Sequence, residues 1–143
     1  MIDQTGAFEE CTRLAELAAQ ADEVPIGVVI VKDGKIISGA HNETEKQSNF
    51  LAHAEMIAIE RATKFLHTKY LNDCDLYSAL EPCPMCLAAA RLSRIKSIFY
   101  LVSSEKFGAD GCALFATHLQ KIENRPESNK ILNLLRSFFE KRR

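Results

Sequence analysis

A strand, a helix and a second strand follow one another in residues 75–102, which read DLYSALEPCPMCLAAARLSRIKSIFYLV. The apolar runs at 75–78 and 98–102 are typical of strands, and the alanine-rich segment 84–94 predicts the helix between them. This order places the two strands in parallel, because the helix carries the chain back across one face of the sheet. The stretch therefore predicts an α/β protein whose sheet is covered by helices.

Further helices and strands are predicted on both sides of residues 75–102. Apolar residues at helical spacing predict a first helix over 5–20, and the run 26–31 predicts a strand buried on both faces. Asp33-Gly34 predicts a hairpin to a partner strand at 36–40. A helix over 54–66, a weaker strand at 119–123 and a last helix beginning at Pro126 complete the prediction. With no repeat or linker in the sequence, residues 1–143 are predicted to form one domain.

Composition narrows the class of protein. The chain has 143 residues, 47% hydrophobic and 26% charged, which is a globular composition. Its formal charge of −1 argues against a protein that coats nucleic acid through positive charge alone. Five cysteines are an odd number, which argues against a fully paired secreted scaffold and favours a reducing, cytoplasmic location. No signal peptide or membrane span is recognised, so we expect a soluble protein.

Charge is unevenly distributed along the chain. Residues 120–143 carry seven basic and three acidic side chains, whereas residues 1–119 carry 11 basic and 16 acidic ones. The net charge of −1 therefore excludes only a protein that binds nucleic acid broadly and without specificity. The basic C-terminal helix remains available for a specific contact with nucleic acid.

Two short segments carry ligand-type residues. They are His53-Ala54-Glu55 and Glu81-Pro82-Cys83-Pro84-Met85-Cys86, with 29 residues between His53 and Cys83. One imidazole and two thiolates suit a tetrahedral zinc ion, and three protein ligands leave its fourth position open, as in catalytic zinc sites. His53 and Cys83 each precede a predicted helix, so two positive helix N-termini would meet at one ion.

Each part of this pattern has an alternative interpretation. Cys83 and Cys86 alone could be a redox pair or two small packed residues, and a lone histidine is often a core residue. Together, at this spacing, they favour the metal site. Glu55 is not needed as a ligand, so it can accept a proton from a water activated by zinc and deliver protons to a substrate. This set of groups suits hydrolytic deamination of a nucleobase.

These segments resemble the established signature of the cytidine/deoxycytidylate deaminase superfamily, His-x-Glu followed by Pro-Cys-x-x-Cys. Within it, the chain is most similar to bacterial tRNA-specific adenosine deaminases. The resemblance runs over nearly the whole chain and includes Gly108-Ala109-Asp110-Gly111. Its narrower part depends on Asp22-Glu23-Val24-Pro25 and on the ending Phe138-Phe139-Glu140-Lys141-Arg142-Arg143.

The resemblance implies a three-layer α-β-α fold with a five-stranded mixed sheet. It implies one zinc ion per subunit on His53, Cys83 and Cys86, and Glu55 as the proton shuttle. Asn42 and Pro82 would contact the substrate base. The residues implied to approach a tRNA anticodon stem-loop are Phe138, Phe139, Lys141, Arg142 and Arg143. The implied enzyme is a homodimer that makes inosine at the wobble position of a tRNA, with an arginine tRNA as the expected substrate.

Several of these residues also have a purely structural interpretation. Asn42 could cap the loop after its strand, and one of Phe138 and Phe139 could belong to the core. The basic end could be a solvated helix terminus. The chain also departs from the family at Asn49-Phe50-Leu51-Ala52, at Ser103-Ser104-Glu105-Lys106 and in a shorter stretch at 112–117, all in loops expected near RNA.

Two other functions fit the same motif. One is deamination of a free nucleobase or nucleoside of the guanine or cytosine type. The other is a zinc-bearing RNA-binding subunit without activity, although such a subunit would not need Glu55.

Overall fold

The structure is a computed structural model that describes residues 1–108 and 119–142. Its elements, in chain order, are α1 (Gln4–Gln20), β1 (Gly27–Lys32), β2 (Lys35–His41), α2 (Ala54–Leu66), β3 (Cys74–Leu80), α3 (Pro84–Leu92), β4 (Ser97–Val102), β5 (Leu119–Lys121) and α4 (Pro126–Glu140).

The strands of the described residues form one mixed sheet in the order β2-β1-β3-β4-β5. β1 is antiparallel to both neighbours, and Val28 of β1 lies opposite Ser78 of β3. β3, β4 and β5 are parallel, with Leu76 opposite Ile98. The predicted parallel pair around α3 and the mixed five-stranded sheet are therefore confirmed.

Helices cover both faces of this sheet. On one face, Ala58 of α2 and Leu87 of α3 pack with Val28 and Ile30. On the other face, α1 and α4 contribute a second cluster that includes Phe8, Ile131, Val29 and Val31. Successive residues of β1 thus enter opposite layers, which explains why this strand is apolar throughout. The fold is the expected three-layer α-β-α arrangement.

Local signals set several boundaries. Asp33 and Gly34 both have positive φ, 51° and 73°, as a two-residue type I′ hairpin turn requires. Helix α3 ends at Leu92, two residues before the predicted end, because Arg94 adopts a left-handed backbone with φ of 67°. Among the described residues, no helix is both long and apolar enough to cross a bilayer.

Candidate metal centre and active site

Two helix N-termini carry the predicted metal ligands. His53 is the N-cap residue of α2 and Cys83 is that of α3, each with an extended backbone. Neither side chain caps its own helix, so both are available to face a common point. Pro84 occupies the start of α3, where its missing N–H costs nothing. Cys86 lies in the first turn of α3, with its sulfur buried beside that of Cys83.

The three ligand atoms form a compact triangle. His53 Nδ1 lies 3.7 Å from Cys83 Sγ and 3.4 Å from Cys86 Sγ, and the two sulfurs are 3.6 Å apart. Zinc–sulfur bonds of about 2.3 Å and zinc–nitrogen bonds of about 2.0 Å at tetrahedral angles predict a sulfur–sulfur separation of about 3.8 Å and sulfur–nitrogen separations of about 3.5 Å. The residues present therefore fit a zinc ion, and they form the metal-ligand group found among the described residues.

The ionisable groups of the triangle shift one another's pKa values. Hydrogen bonds with Cys86 and with His53 lower the pKa of the Cys83 thiol to about 4. The hydrogen bond with Cys83, together with burial, raises the pKa of Cys86. The pKa of His53 is raised by its hydrogen bond with Cys83. The sulfurs lie much farther apart than the roughly 2.05 Å of a disulfide, and both are free thiols.

Glu55 is buried in the first turn of α2, with 4% of its surface exposed. Burial raises the pKa of its carboxyl group. In the part of the chain that the structure describes, its Oε1 atom has no hydrogen-bond partner. A buried carboxyl group with an unused oxygen and a raised pKa is suited to taking up and returning a proton.

A cavity of about 750 Å³ opens above these groups. Its inner wall contains His53, Glu55 and Cys83, together with Asn42 from the end of β2. The residues that complete the lining are Val24, Ile26, Thr44, Leu80, Glu81, Ser103, Ser104, Glu105, Lys106, Phe107 and Phe139. Both Phe107 and Phe139 are exposed, at 65% and 52%, so two aromatic rings stand where the cavity meets solvent.

The two predicted base-contacting residues lie in different places. Asn42 is buried, and its side-chain Nδ2 donates to Thr44 Oγ1 at 3.3 Å. That local bond suits a residue that caps its loop, while its place in the cavity wall suits a substrate contact. Pro82 is fully buried and does not belong to the cavity lining.

The C-terminal residues divide into different environments. Phe138 is buried, and Phe139 reaches the cavity. Lys141 is exposed and has no ion-pair partner among the described residues. Arg142 is exposed but contacts the Phe138 ring and the Asp22 carbonyl. Arg143 lies outside the described residues, as do residues 109–118, which include Cys112 and most of the Gly108-Ala109-Asp110-Gly111 segment.

Sequence reasoning missed two carboxylates that shape the cavity. Glu23 is almost fully buried, and its two oxygens accept the backbone N–H groups of Glu45 and Lys46 at 3.0 and 2.8 Å. Glu81 accepts the N–H of Ser104 at 3.0 Å. A Cβ atom on Gly108 would collide with the Glu81 carboxylate, so the Glu81 side chain would have to shift if a larger residue replaced this glycine. Both glutamates lie in quoted motifs, but their loop partners are 22 or more residues away.

Comparison with known proteins agrees with this geometry. The profile of the MafB19-like deaminase family matches residues 2–143. A tRNA-specific adenosine deaminase of Rickettsia typhi is 41% identical over 144 residues, covering 95% of this chain and 97% of its own. A structure from a study of A-to-I editing by tRNA:A34 deaminases has a TM-score of 0.84 and 33% identity, over 92% of this chain and 100% of its own. The guanine deaminase of Bacillus subtilis has a TM-score of 0.69 and 39% identity, over 71% of this chain and 66% of its own.

The fold is that of a deaminase, and the chain belongs to the MafB19-like deaminase family. Within it, the chain is a member of the tRNA-specific adenosine deaminases, the hydrolases with which it shares 37–49% identity. The resemblance stated from the sequence is thereby confirmed.

Proposed function

We propose that this protein hydrolytically deaminates adenosine to inosine at the wobble position of a tRNA anticodon, with an arginine tRNA as substrate. It would act as one cytoplasmic deaminase domain with one zinc ion per subunit. The observation that carries this proposal is the buried Glu55 carboxyl group, with its unpaired oxygen, beside the three ligand atoms of His53, Cys83 and Cys86.

The roles of the residues follow from their positions. His53, Cys83 and Cys86 would hold the zinc ion, which supplies an activated water at neutral pH when bound. Glu55 would take a proton from the attacking water and give it to the N1 atom of adenine as the water oxygen adds to C6. The proton left on that oxygen would pass through Glu55 to the C6 amine, and the C–N bond then breaks as the C6 carbonyl forms. One water is consumed, and inosine and ammonia are released.

The mouth of the cavity favours a base carried by RNA over a free base. A wobble adenosine lies in a loop, where little stacking is lost when the base turns outward. The exposed rings of Phe107 and Phe139 can stack on neighbouring bases of the loop, and Lys106 beside Phe107 supplies positive charge. Among the C-terminal residues, Phe139 and Lys141 are the best-placed candidates for RNA contact.

The experiment is a deamination assay with the zinc-loaded protein. An arginine-tRNA anticodon stem-loop with wobble adenosine should yield inosine and an equal amount of ammonia. Glu55→Ala should abolish product while retaining zinc and stem-loop affinity. Product formation by Glu55→Ala would contradict the assigned proton shuttle. Binding without product by the wild type would instead indicate a zinc-bearing RNA-binding subunit.

A free-base deaminase is the second candidate, supported by the 39% identity with the Bacillus subtilis guanine deaminase. Guanine, cytosine and their nucleosides are therefore assayed beside the stem-loop. Turnover of one of them above that of the stem-loop would favour this second function.

We propose a homodimer as well, with both subunits contributing to the RNA surface. Phe50 and Leu51 are exposed just before α2, and Leu51 borders a groove of about 570 Å³ that includes Met56 and Ile59. Apolar surface of this kind is typical of a subunit contact. Light scattering should show a dimer that Leu51→Glu dissociates, while Leu17→Glu, on α1, leaves it intact. A monomeric wild type at micromolar concentration would contradict this proposal.

A further inference from the structure

Arg142 makes three contacts at the end of α4. Its guanidinium carbon lies 3.5 Å from the centroid of the Phe138 ring. One of its terminal nitrogens donates to the Phe138 carbonyl at 3.3 Å, and the other donates to the Asp22 carbonyl at 3.0 Å. A planar guanidinium can stack and donate in two directions at once, which a lysine ammonium cannot do.

The Asp22 contact joins the end of α4 to the segment that leads from α1 towards the cavity. Asp22 is followed by Glu23, whose carboxylate holds the backbone of Glu45 and Lys46. Val24, one residue further, lines the cavity itself. Arg142 therefore attaches α4 to the segment that also supports the loop beyond Asn42.

The position of Phe139 depends on the same end of α4. Phe138 is buried under Arg142, and its ring meets Phe139 edge to face, with centroids 5.2 Å apart. Phe139 is the residue of α4 that lines the cavity containing Glu55. Fixing Phe138 with Arg142 thus restricts where the Phe139 ring can lie.

We propose that Arg142 is a positioning residue that holds the end of α4 against Asp22 and so fixes Phe139 as a wall of the substrate cavity. This role differs from the direct approach to the anticodon stem-loop that the family resemblance implies for Arg142. Its effect on RNA rests on the proposed function, but its effect on Phe139 does not.

A fluorescence experiment without RNA tests the docking directly. The chain contains no tryptophan, so Phe139→Trp introduces a single tryptophan at the cavity, whose emission can be excited selectively over that of the tyrosines. In that background, Arg142→Ala and Arg142→Lys should shift the emission to longer wavelength and increase quenching by acrylamide. Lys141→Ala removes the same charge from a neighbouring exposed residue and should change neither the emission wavelength nor the quenching by acrylamide. Unchanged emission after Arg142→Ala would overturn the proposal.

Hydrogen–deuterium exchange repeats this test without the tryptophan. Arg142→Ala should accelerate exchange at the amides of residues 138–142 relative to the wild type and to Lys141→Ala. Equal exchange in all three proteins would count against the proposal, even if Phe139→Trp does not fold.

Stem-loop kinetics separate positioning from phosphate contact. Arg142→Ala should raise KM about tenfold, equivalent to roughly 1.4 kcal/mol, and change kcat less. The salt dependence of binding should stay unchanged, and Arg142→Lys should not restore KM.

Lys141→Ala, as a phosphate contact, should reduce the slope of log K against log salt by about 0.7. The same reduced slope in Arg142→Ala would identify a phosphate contact and refute positioning. An inactive wild type would refute the proposed function only, since the fluorescence result stands apart from it.

Discussion

Replacing Glu23 offers the sharpest quantitative test of how the cavity is held together. Its side chain is 1% exposed, and each of its oxygens accepts one backbone N–H, from Glu45 and from Lys46. Glu23→Gln keeps the shape of the side chain but turns one acceptor into an NH₂ donor. One of the two backbone N–H groups then faces another donor, and the remaining bond loses its charge.

The magnitude follows from the burial of each partner. A hydrogen bond to a charged group contributes about 1.5–3 kcal/mol when both partners are buried. Glu45 and Lys46 are exposed, so water can replace part of each bond. We therefore expect Glu23→Gln to lower the free energy of unfolding by about 2 kcal/mol, at the low end of this range. Glu23→Ala should cost about 3 kcal/mol, because it also removes a buried methylene group worth about 0.8 kcal/mol.

Urea unfolding measures this difference. With an m-value of about 2 kcal/mol per M, Glu23→Gln should move the midpoint down by about 1 M. Glu9→Gln is the matched control, because the same atoms change on an exposed side chain of α1. That control should stay within about 0.5 kcal/mol of the wild type. If Glu23→Gln were as stable as Glu9→Gln, the hydrogen bonds from Glu45 and Lys46 to the Glu23 carboxylate would not contribute to the stability of the protein.

Three further predictions address the candidate metal centre, the half-buried carboxylate of Asp75 and the mouth of the cavity. Cys86→Ser should lose bound zinc and at least 100-fold of the activity, whereas Cys74→Ala, at a buried cysteine outside the site, should keep full zinc content by atomic absorption. Asp75→Asn should stabilise the protein slightly at pH 7, because burial raises the pKa of the half-buried Asp75 carboxyl group and its Oδ1 has no partner among the described residues. Because the pKa of this carboxyl group is higher in the folded protein than in the unfolded chain, its contribution to the free energy of unfolding is most favourable at low pH. That contribution is lost as the pH rises through the folded pKa. The gain in urea midpoint should therefore shrink towards pH 3, and a gain constant with pH would contradict this explanation. Phe107→Ala should raise KM for the stem-loop about tenfold, as expected for a lost base stack, while Phe65→Ala, equally exposed on α2, should not; equal KM values in the two variants would exclude stacking on Phe107.

The sequence predicted the local elements because their signals are local. The bounds of α2 match the predicted 54–66, since its apolar residues recur at helical spacing without a breaker. The Asp33-Gly34 turn was predictable because few residues tolerate positive φ at both positions. The candidate metal-ligand group was predictable in part for a similar reason, because a residue just before α2 and a Cys-x-x-Cys at the start of α3 each have nearly fixed local geometry.

Tertiary structure decided the rest, because it depends on partners far apart in the chain. Periodicity places Phe138 and Phe139 on an apolar helix, but only packing shows that Phe138 is buried and Phe139 enters the cavity. The basic ending predicted a charged terminus, yet Arg142 bonds to Asp22, 120 residues away. The sequence alone thus determined the fold class and the chemistry of the zinc-type site. The walls of the cavity above this site were decided by the packing of distant segments, since no local pattern determines which of their side chains will meet.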